Sequence, residues 1–410
     1  MLKRLNLCLA AIHFFPAYSG AGIQFQRYRA GFEERGIDMW TLAGTPPGYG
    51  YQKVIAVPDG VRYGEWFSEE EVEGLRVERV YLPQNGNRSR TWAYVPALLR
   101  ACREPELKPD VIQVLSSSIY WLPWWHAIRK LDIPTIYSYT LIQAMSSNYV
   151  KALLQRFLQR SMISMFDCVV TNTHVGKDLL LQSNAQTRIE AIGNGVDTAY
   201  FRPARDNGER ERLREKLSLP VDAPVILFVG AQVRRKGLDV LLEAWPLIAN
   251  EFPDAHLVLV GPDYRGGVHP EPQFGQYVKE LLDSANVPER TIVTGTVDNV
   301  EEYFRAADVF VFPSRREGMG TVVLESFATG LPTILCKFVG LPDDFGSPGE
   351  TYILVERTPE AIDSAVHDLL TYRPFAQLIG SAARQWAVEH LAIEYSINAY
   401  ADLYFEYAGR

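Results

Sequence analysis

The second half of the chain repeats one pattern: a short apolar run, a loop with glycine or proline, and a helical segment. Three of the apolar runs are Val225–Val229, His256–Val260 and Val309–Phe312. A strand that is apolar at nearly every position must be covered on both faces, which is typical of parallel sheets with crossover helices on both sides. The pattern therefore predicts a doubly wound α/β domain in this half of the chain.

The first half alternates in the same way, although less regularly. Residues 5–12 and 39–43 are predicted strands, and a helix is predicted between them from about residue 23 to 35. Because 410 residues exceed one ordinary hydrophobic core, we expect two domains. The composition changes after residue 192, where a charged run at 205–216 is predicted to be one solvated helix.

The overall charge and the cysteines exclude several functional classes. A net charge of −8 argues against nucleic-acid binding. The cysteines are scattered without a CxxC pair, and no His and Cys residues have metal-ligand spacing. We therefore expect a reducing, cytoplasmic environment and no required metal or cofactor.

The N-terminal apolar run is better explained as a strand than as a targeting segment. Residues 5–12 could pass for the core of a signal peptide, but Asn6 interrupts them and no convincing cleavage site follows. No other run approaches the ~18 apolar residues that a transmembrane helix requires. The favoured interpretation is a first buried strand that leads into a glycine loop.

One loop of the repeat, residues 316–325, combines glycines with acidic residues. Gly318 and Gly320 follow a predicted strand, and a helix is predicted to begin at Thr321. Free backbone N–H groups at such a helix start favour an anion, and glycine lets a ligand approach the backbone. Glu317 and Glu325 flank this position with carboxylates, which suit hydroxyl groups better than phosphate. A site for both phosphate and hydroxyl groups predicts a sugar-nucleotide pocket.

Three segments and a pair of glycines carry a resemblance to a known family. Residues 317–325 read EGMGTVVLE, residues 229–245 read VGAQVRRKGLDVLLEAW, and residues 192–203 read IGNGVDTAYFRP. Gly20 and Gly22 form the glycine pair near the start of the chain. In this order and spacing, the motifs resemble those of the retaining GT-B-fold glycosyltransferases of family 4, also called glycosyl transferases group 1.

The resemblance implies the GT-B fold, in which two Rossmann-like doubly wound domains face a cleft. Residues 1–192 would form the acceptor-side domain and residues 193–389 the sugar-nucleotide domain, with a C-terminal helix in residues 390–410 returning to the first domain. The implied reaction moves a hexosyl group from a nucleotide-diphosphate sugar to an acceptor hydroxyl, with retention of configuration. The acceptor would be a carbohydrate, a lipid-linked molecule or a small molecule, and the donor base stays open among UDP, GDP and ADP.

The donor-site predictions come from matching positions in the family motifs. Glu317, Lys236 and Arg235 are the predicted catalytic residues, with Glu317 on the donor sugar and Lys236 on the diphosphate. The family often has an arginine where this chain has Ala231, so Arg235 is the predicted substitute and Arg234 the alternative. The other predicted donor-binding residues are Gly22, Gly230, Thr294, Gly318, Met319, Gly320, Thr321 and Glu325, the last of which would bind the ribose hydroxyls.

The acceptor-side predictions are Gly20, His13 and Tyr139. The family often carries a histidine after the strand that matches residues 135–137, but this chain lacks it, and Tyr139 is nearest to its place. His13 lies at the end of a predicted strand. It serves either in the acceptor site or as a structural histidine.

Two further questions stay open at the level of the sequence. Ala231 and the missing histidine motivate a non-catalytic sugar-nucleotide-binding or partner protein of the same fold, whereas Glu317 and Lys236 argue for an enzyme; a GT-B epimerase is a rival enzyme. The aromatic residues at 120–125 and a basic helix predicted at 148–165 fit either core packing or peripheral contact with the inner face of a membrane.

Overall fold

The computed structural model describes residues 4–14, 20–46, 55–72, 74–84, 86–115, 117–140, 149–183, 185–262, 271–284 and 288–409. The chain divides into two compact units. The N-terminal unit comprises residues 1–194 with 394–410, and the C-terminal unit comprises residues 195–393. The sequence predicts the domain boundaries between residues 192 and 193 and between residues 389 and 390. The glycine- and proline-rich segments at 44–70 and 262–275, which the sequence predicts to be loops, lie partly outside the described residues.

The described part of the N-terminal unit contains one eight-stranded sheet in the order β3-β4-β2-β1-β5-β6-β7-β8. Its strands are β1 (Leu5–Ala11), β2 (Ile37–Gly44), β3 (Trp66–Val72), β4 (Leu75–Val80), β5 (Val111–Val114), β6 (Thr135–Tyr139), β7 (Cys168–Thr171) and β8 (Arg188–Ala191). All pairings are parallel except that β3 runs antiparallel to β4. Its helices are α1 (Gly20–Glu34), α2 (Asn87–Ala101), α3 (Trp125–Arg129), α4 (Tyr149–Ile163) and α5 (His174–Leu181).

The described part of the C-terminal unit contains a six-stranded parallel sheet in the order β11-β10-β9-β12-β13-β14. Its strands are β9 (Val225–Val229), β10 (His256–Val260), β11 (Thr291–Gly295), β12 (Val309–Phe312), β13 (Thr333–Cys336) and β14 (Ile353–Val355). Its helices are α6 (Asn207–Lys216), α7 (Leu238–Glu251), α8 (Pro272–Ser284), α9 (Val300–Ala306), α10 (Thr321–Thr329), α11 (Pro359–Thr371) and α12 (Arg373–His390). The prediction of a doubly wound parallel sheet is confirmed.

The central strand β9 explains why its sequence is apolar at every position. Leu227 packs into a cluster that includes Leu324 of α10, on one face of the sheet. Its neighbour Phe228 packs into a second cluster that includes Trp245 of α7, on the other face. Since successive side chains of a strand point to opposite faces, a strand between two helical layers must be apolar throughout.

The last helix, α13 (Ile393–Tyr407), packs within the N-terminal unit. Tyr400 lies 5.1 Å from Phe25 of α1, measured between ring centroids. The hydroxyl of Tyr404 donates a hydrogen bond to Oε1 of Gln113 in β5, at 2.9 Å. The expected return of the C-terminal helix to the first domain is therefore seen in these contacts.

The charged run at 205–216 forms the predicted helix, α6, but the expectation of a solvated helix is wrong for one face. Arg214 is buried, and it donates to Oδ2 of Asp308 at 2.7 Å and to the carbonyl of Ala306 at 2.9 Å. Arg210 donates to the other oxygen of Asp308 at 2.5 Å. The buried carboxylate just before β12 therefore ties α6 to the sheet.

Candidate functional site

The candidate site lies where the strand order of the C-terminal sheet reverses. The chain passes from β9 to β10 and β11 on one side, and then returns to β12 on the other side of β9. The loops that leave the carboxyl ends of β9 and β12 are therefore neighbours, and this is where doubly wound sheets bind their ligands. We call residues 230–237 the β9 loop and residues 313–320 the β12 loop.

These two loops approach each other so closely that one position requires glycine. Gly237 has a φ of +72°, and a Cβ atom there would lie 2.0 Å from the carbonyl oxygen of Pro313. Any side chain at residue 237 would push the β9 loop away from the β12 loop. The glycine thus sets the distance between the residues that follow on both loops.

A third loop, residues 337–342 after β13, holds the β12 loop from its other side. The backbone N–H of Glu317 donates to the carbonyl of Val339 at 3.0 Å. Gly340 has a φ of +106°, and a Cβ atom there would lie 2.2 Å from the carbonyl oxygen of Glu317. The backbone of Glu317 is therefore fixed by its neighbours before any ligand binds.

The predicted catalytic residues Arg235, Lys236 and Glu317 form one group, which we call the ion cluster. Nη1 of Arg235 lies 2.7 Å from Oε2 of Glu317, and Nζ of Lys236 lies 2.9 Å from Oε1. The hydroxyl of Ser314 also donates to Oε1, at 2.6 Å. Two cations thus converge on one carboxylate, and cations fixed in this way could also bind an anionic ligand.

Burial and charge act in opposite directions on the ionisation of this cluster. Burial raises the pKa of Glu317, but the charges of Lys236 and Arg235 outweigh it and hold that pKa below its usual value. Burial lowers the pKa of Lys236, and the Glu317 carboxylate opposes this shift. Glu317 is therefore an ionised carboxylate at neutral pH, and its charge helps to keep the buried ammonium protonated.

The structure distinguishes between the two arginines that the sequence left open. Arg235 contacts Glu317, as described above, and its Nη1 also donates to the carbonyl of Arg316 at 2.7 Å. Arg234 is exposed, and its guanidinium lies 4.9 Å from the ring centroid of Phe274. Of the two, Arg235 is the one placed in the ion cluster.

Most of the other predicted donor residues surround the ion cluster within the same unit. Gly230 begins the β9 loop and lies against the side chain of Lys236, since a Cβ atom there would be in van der Waals contact with the lysine Cδ, at 3.4 Å. Gly318, Met319 and Gly320 complete the β12 loop, and Thr321 begins α10. The positive end of a helix dipole at such a helix start favours an anion.

Two further donor predictions lie farther along the elements. Glu325 is only 5% exposed on α10, so it is not an ordinary solvated glutamate, and its charge acts on Lys236. Thr294 lies in β11, two strands away from β9, and its hydroxyl donates to the carbonyl of Gly295 at 2.8 Å. The hydroxyl oxygen of Thr294 keeps its capacity to accept a hydrogen bond.

The remaining predicted residues belong to the N-terminal unit. Gly20 is exposed at the first position of α1, and Gly22 is buried two residues later. Burial, together with the charge of Arg90, lowers the pKa of His13 from 6.5 to about 4, so its imidazole is neutral at neutral pH. Tyr139 is buried at the end of β6 and accepts a hydrogen bond from Gln159 at 3.4 Å.

Three residues of the site were missed by the sequence reasoning. Ser314 donates a hydrogen bond to Glu317. Arg315 forms a bidentate ion pair with Asp239, in which each of the two hydrogen bonds is 2.9 Å long. The sequence signal was present in part, because Arg315 lies two residues before Glu317 and Asp239 three residues after Lys236. Only the fold shows that these positions meet.

The described residues contain neither a metal-binding cluster nor a membrane-spanning helix. The described ranges hold no group of three or more His, Cys, Asp or Glu side chains that could bind a metal ion. No helix in the described part of the chain combines the length and the apolar character needed to cross a membrane.

Comparison with known proteins gives matches over both halves of the chain. Residues 209–386 match the family model described as glycosyl transferases group 1, and residues 19–195 match the glycosyl transferase 4-like domain. A GDP-mannose-dependent alpha-(1-6)-phosphatidylinositol monomannoside mannosyltransferase from Mycolicibacterium smegmatis is 32% identical over 49% of this chain and 52% of that protein. The chain spans about half the length of the first curated relatives that it matches.

Solved structures show the same fold at low sequence identity. Sucrose-phosphate synthase from Thermosynechococcus elongatus has a TM-score of 0.76 at 21% identity, covering 98% of this chain and 99% of that chain. The Anabaena protein HepE in complex with UDP-glucose has a TM-score of 0.72 at 14% identity, covering 98% of this chain and 100% of that chain. These similarities concern the arrangement of the backbone.

Proposed function

Because the chain belongs to the glycosyl transferases group 1 and has the GT-B fold, we propose that it transfers a hexosyl group from a nucleotide-diphosphate sugar to an acceptor hydroxyl, with retention of configuration. The observation that carries this proposal is the ion cluster at the reversal point of the C-terminal sheet. Two cations fixed beside a helix start suit a diphosphate. The Mycolicibacterium relative, named as GDP-mannose-dependent, supports a nucleotide sugar as the donor.

In the proposed reaction, the cations act on the leaving group. The bond between the anomeric carbon and the diphosphate oxygen breaks, and the electron pair stays on the diphosphate. Arg235 and Lys236 stabilise the negative charge that develops there, and fixed charges are most effective in a site that excludes water. The acceptor oxygen bonds to the anomeric carbon on the same face, and its proton passes to the departing diphosphate.

The carboxylates would recognise hydroxyl groups of the donor. Glu317 is held close to the cations, so a sugar attached to the diphosphate would lie within its reach. Glu325, buried on α10, would accept hydrogen bonds from the ribose hydroxyls. Since the two protein cations supply the charge that a metal provides in other transferases, we propose that no metal is required, and turnover in EDTA should equal turnover without it.

The test of this function is turnover with a panel of donors. Purified protein is incubated with UDP-, GDP- and ADP-sugars and with acceptor extracts, and release of nucleoside diphosphate is measured. We expect release with one base, and an α-linked product from an α-linked donor by NMR. Tight donor binding without any release would favour a non-catalytic binding protein, and an inverted product would overturn the retaining mechanism.

The ribose assignment has its own test in Glu325→Ala. Loss of one charge-assisted hydrogen bond predicts donor binding weaker by about tenfold or more. The matched control is Glu302→Ala, because Glu302 pairs with Lys216 at 2.7 Å outside the ion cluster. Unchanged donor affinity in Glu325→Ala would show that the assignment is wrong.

We also propose that α4 makes peripheral contact with an anionic membrane. Leu154 and Phe157 are 57% and 66% exposed on this helix, and Arg156 and Arg160 are exposed beside them. Exposed apolar side chains flanked by cations suit a surface of anionic lipid. The phosphatidylinositol-linked acceptor in the name of the Mycolicibacterium relative agrees with an acceptor at such a surface.

Membrane contact is tested by sedimentation with vesicles. The double variant Leu154→Ser and Phe157→Ser should bind phosphatidylglycerol vesicles less than the wild type, and the wild type should not bind phosphatidylcholine vesicles. Leu378→Ser is the control, since Leu378 is 65% exposed on α12 in the other unit. Equal binding by all three proteins would rule out α4 as the contact.

A further inference from the structure

The pair formed by Arg315 and Asp239 lies next to the ion cluster and has no role in the function proposed above. Nη1 of Arg315 donates to Oδ1 of Asp239, and Nη2 donates to Oδ2, each at 2.9 Å. The Asp239 side chain is 8% exposed and that of Arg315 is 34% exposed. This parallel geometry is the strongest arrangement that an arginine and a carboxylate can adopt.

Arg315 also links the three loops that build the site. Its Nη1 donates to the carbonyl of Arg234 at 2.7 Å, and its backbone N–H donates to the carbonyl of Arg235 at 2.8 Å. Its own carbonyl accepts from the N–H of Val339 at 3.0 Å. The β9 loop, the β12 loop and the loop after β13 therefore meet at this one residue.

The positions of the pair relative to the ion cluster are the basis of the inference. Asp239 lies three residues after Lys236, in the first turn of α7, and Arg315 lies two residues before Glu317. A bond between Arg315 and Asp239 thus fixes the distance between the two segments that carry the cations and the carboxylate. Catalytic groups lose much of their effect when they move by about 1 Å.

We propose that Arg315 and Asp239 are positioning residues that hold Arg235 and Lys236 at the spacing required by the donor diphosphate. This inference rests on the proposed function. The charge of Arg315 is neutralised by Asp239. Arg315 therefore acts through its two parallel hydrogen bonds to Asp239, which we call the fork, and not as a third phosphate-binding cation. Its effect on a ligand is transmitted by the loops.

The experiment compares four single variants and one double variant. Arg315→Met, Arg315→Lys, Asp239→Asn and the double variant Arg315→Met with Asp239→Asn are measured beside the control Arg202→Met. Arg202 forms a similar fork with Glu209, at 3.0 and 2.8 Å, and both lie outside the ion cluster. The readouts are the Kd of the nucleoside diphosphate, slow hydrolysis of the donor by water, and Tm.

We expect Arg315→Met and Asp239→Asn each to lower the rate of donor hydrolysis about tenfold to a hundredfold, with a smaller change in KM. The double variant should be no worse than either single variant, because both remove the same bond. Arg315→Lys should recover Tm but not the rate, since an ammonium group cannot form the fork. Arg202→Met should lower Tm without changing the rate or the Kd.

The outcomes separate this inference from the proposed function. If the wild type binds no nucleoside diphosphate and hydrolyses no donor, the proposed function is wrong. If the wild type is active and Asp239→Asn keeps or gains activity, Arg315 is a direct ligand and the positioning role is overturned. An equal loss of rate in Arg202→Met would show that the effect of the pair is general stability.

Discussion

The ion cluster leads to a sharp prediction for Glu317→Gln in the protein without ligand. The substitution keeps the shape of the side chain and removes the carboxylate charge. In the wild type, Oε1 of Glu317 lies 2.9 Å from Nζ of Lys236, and Oε2 lies 2.7 Å from Nη1 of Arg235. The side chains of Glu317 and Lys236 are 9% and 13% exposed. The variant therefore removes the negative charge that directly contacts the buried ammonium group of Lys236.

The magnitude follows from this burial. Removing one partner of a buried ion pair destabilises a protein by about 3–5 kcal/mol. Glutamine still accepts a hydrogen bond and Arg235 is partly exposed to water, so we expect the lower value, about 3 kcal/mol. For a unit of this size that is a fall in Tm of about 6–12 °C.

Ligand binding should change in the opposite direction. In the variant, Arg235 and Lys236 are no longer paired with the carboxylate of residue 317. A nucleoside diphosphate should therefore bind the variant about tenfold more tightly, which is a change in binding free energy of about 1.4 kcal/mol. Turnover should fall, because the donor sugar loses its carboxylate partner. Calorimetric melts measure the stability, titration calorimetry measures the affinity, and release of nucleoside diphosphate from the donor measures the turnover.

The matched control is Glu209→Gln, which removes the carboxylate from the fork with Arg202. It should lower Tm without changing the affinity for nucleoside diphosphate. If Glu317→Gln has the same Tm as the wild type and binds the nucleoside diphosphate with the same affinity, the ion pairs contribute nothing to stability or binding. The electrostatic reasoning is then refuted. Weaker binding would show instead that Glu317 holds the cations in place for the ligand.

Three further predictions follow from individual residues. Arg235→Met should weaken nucleoside diphosphate binding about tenfold, whereas Arg234→Met should stay near the wild type in the same titration, because Arg234 lies over Phe274. Because the pKa of His13 is lowered from 6.5 to about 4 in the folded protein, the protein should lose stability as the pH falls from 6.5 to about 4. Denaturant titrations should measure a loss of about 2–3 kcal/mol, and His13→Gln should abolish this pH dependence. Asp308→Asn should lower the free energy of unfolding by about 3 kcal/mol, since it leaves the arginines of α6 without their carboxylate, and an unchanged melt would contradict this.

The sequence alone determined the parallel sheet of the C-terminal unit and the position of the loop that we propose to bind an anion. Both depend on local properties. An apolar run such as Val225–Val229 can be satisfied only between two layers, and glycine permits the backbone conformation of a tight strand-to-helix loop, as at Gly320, which has a φ of +67°. Glu317 and Lys236 were found because they stand in motifs with fixed spacing.

Tertiary structure decided what depends on distances between segments far apart in the chain. Arg234 and Arg235 are adjacent and chemically identical, so only the fold shows which one contacts Glu317. Glu325 could have been a solvated helical residue until its burial was known.

The pair of Arg315 and Asp239 joins positions that are 76 residues apart. No periodicity or composition encodes such a contact, because it arises where two strands separated in sequence become neighbours in the sheet. The sequence thus indicated some of the chemical groups of the site, such as Glu317 and Lys236, and the packing of β9 beside β12 determined which groups meet there.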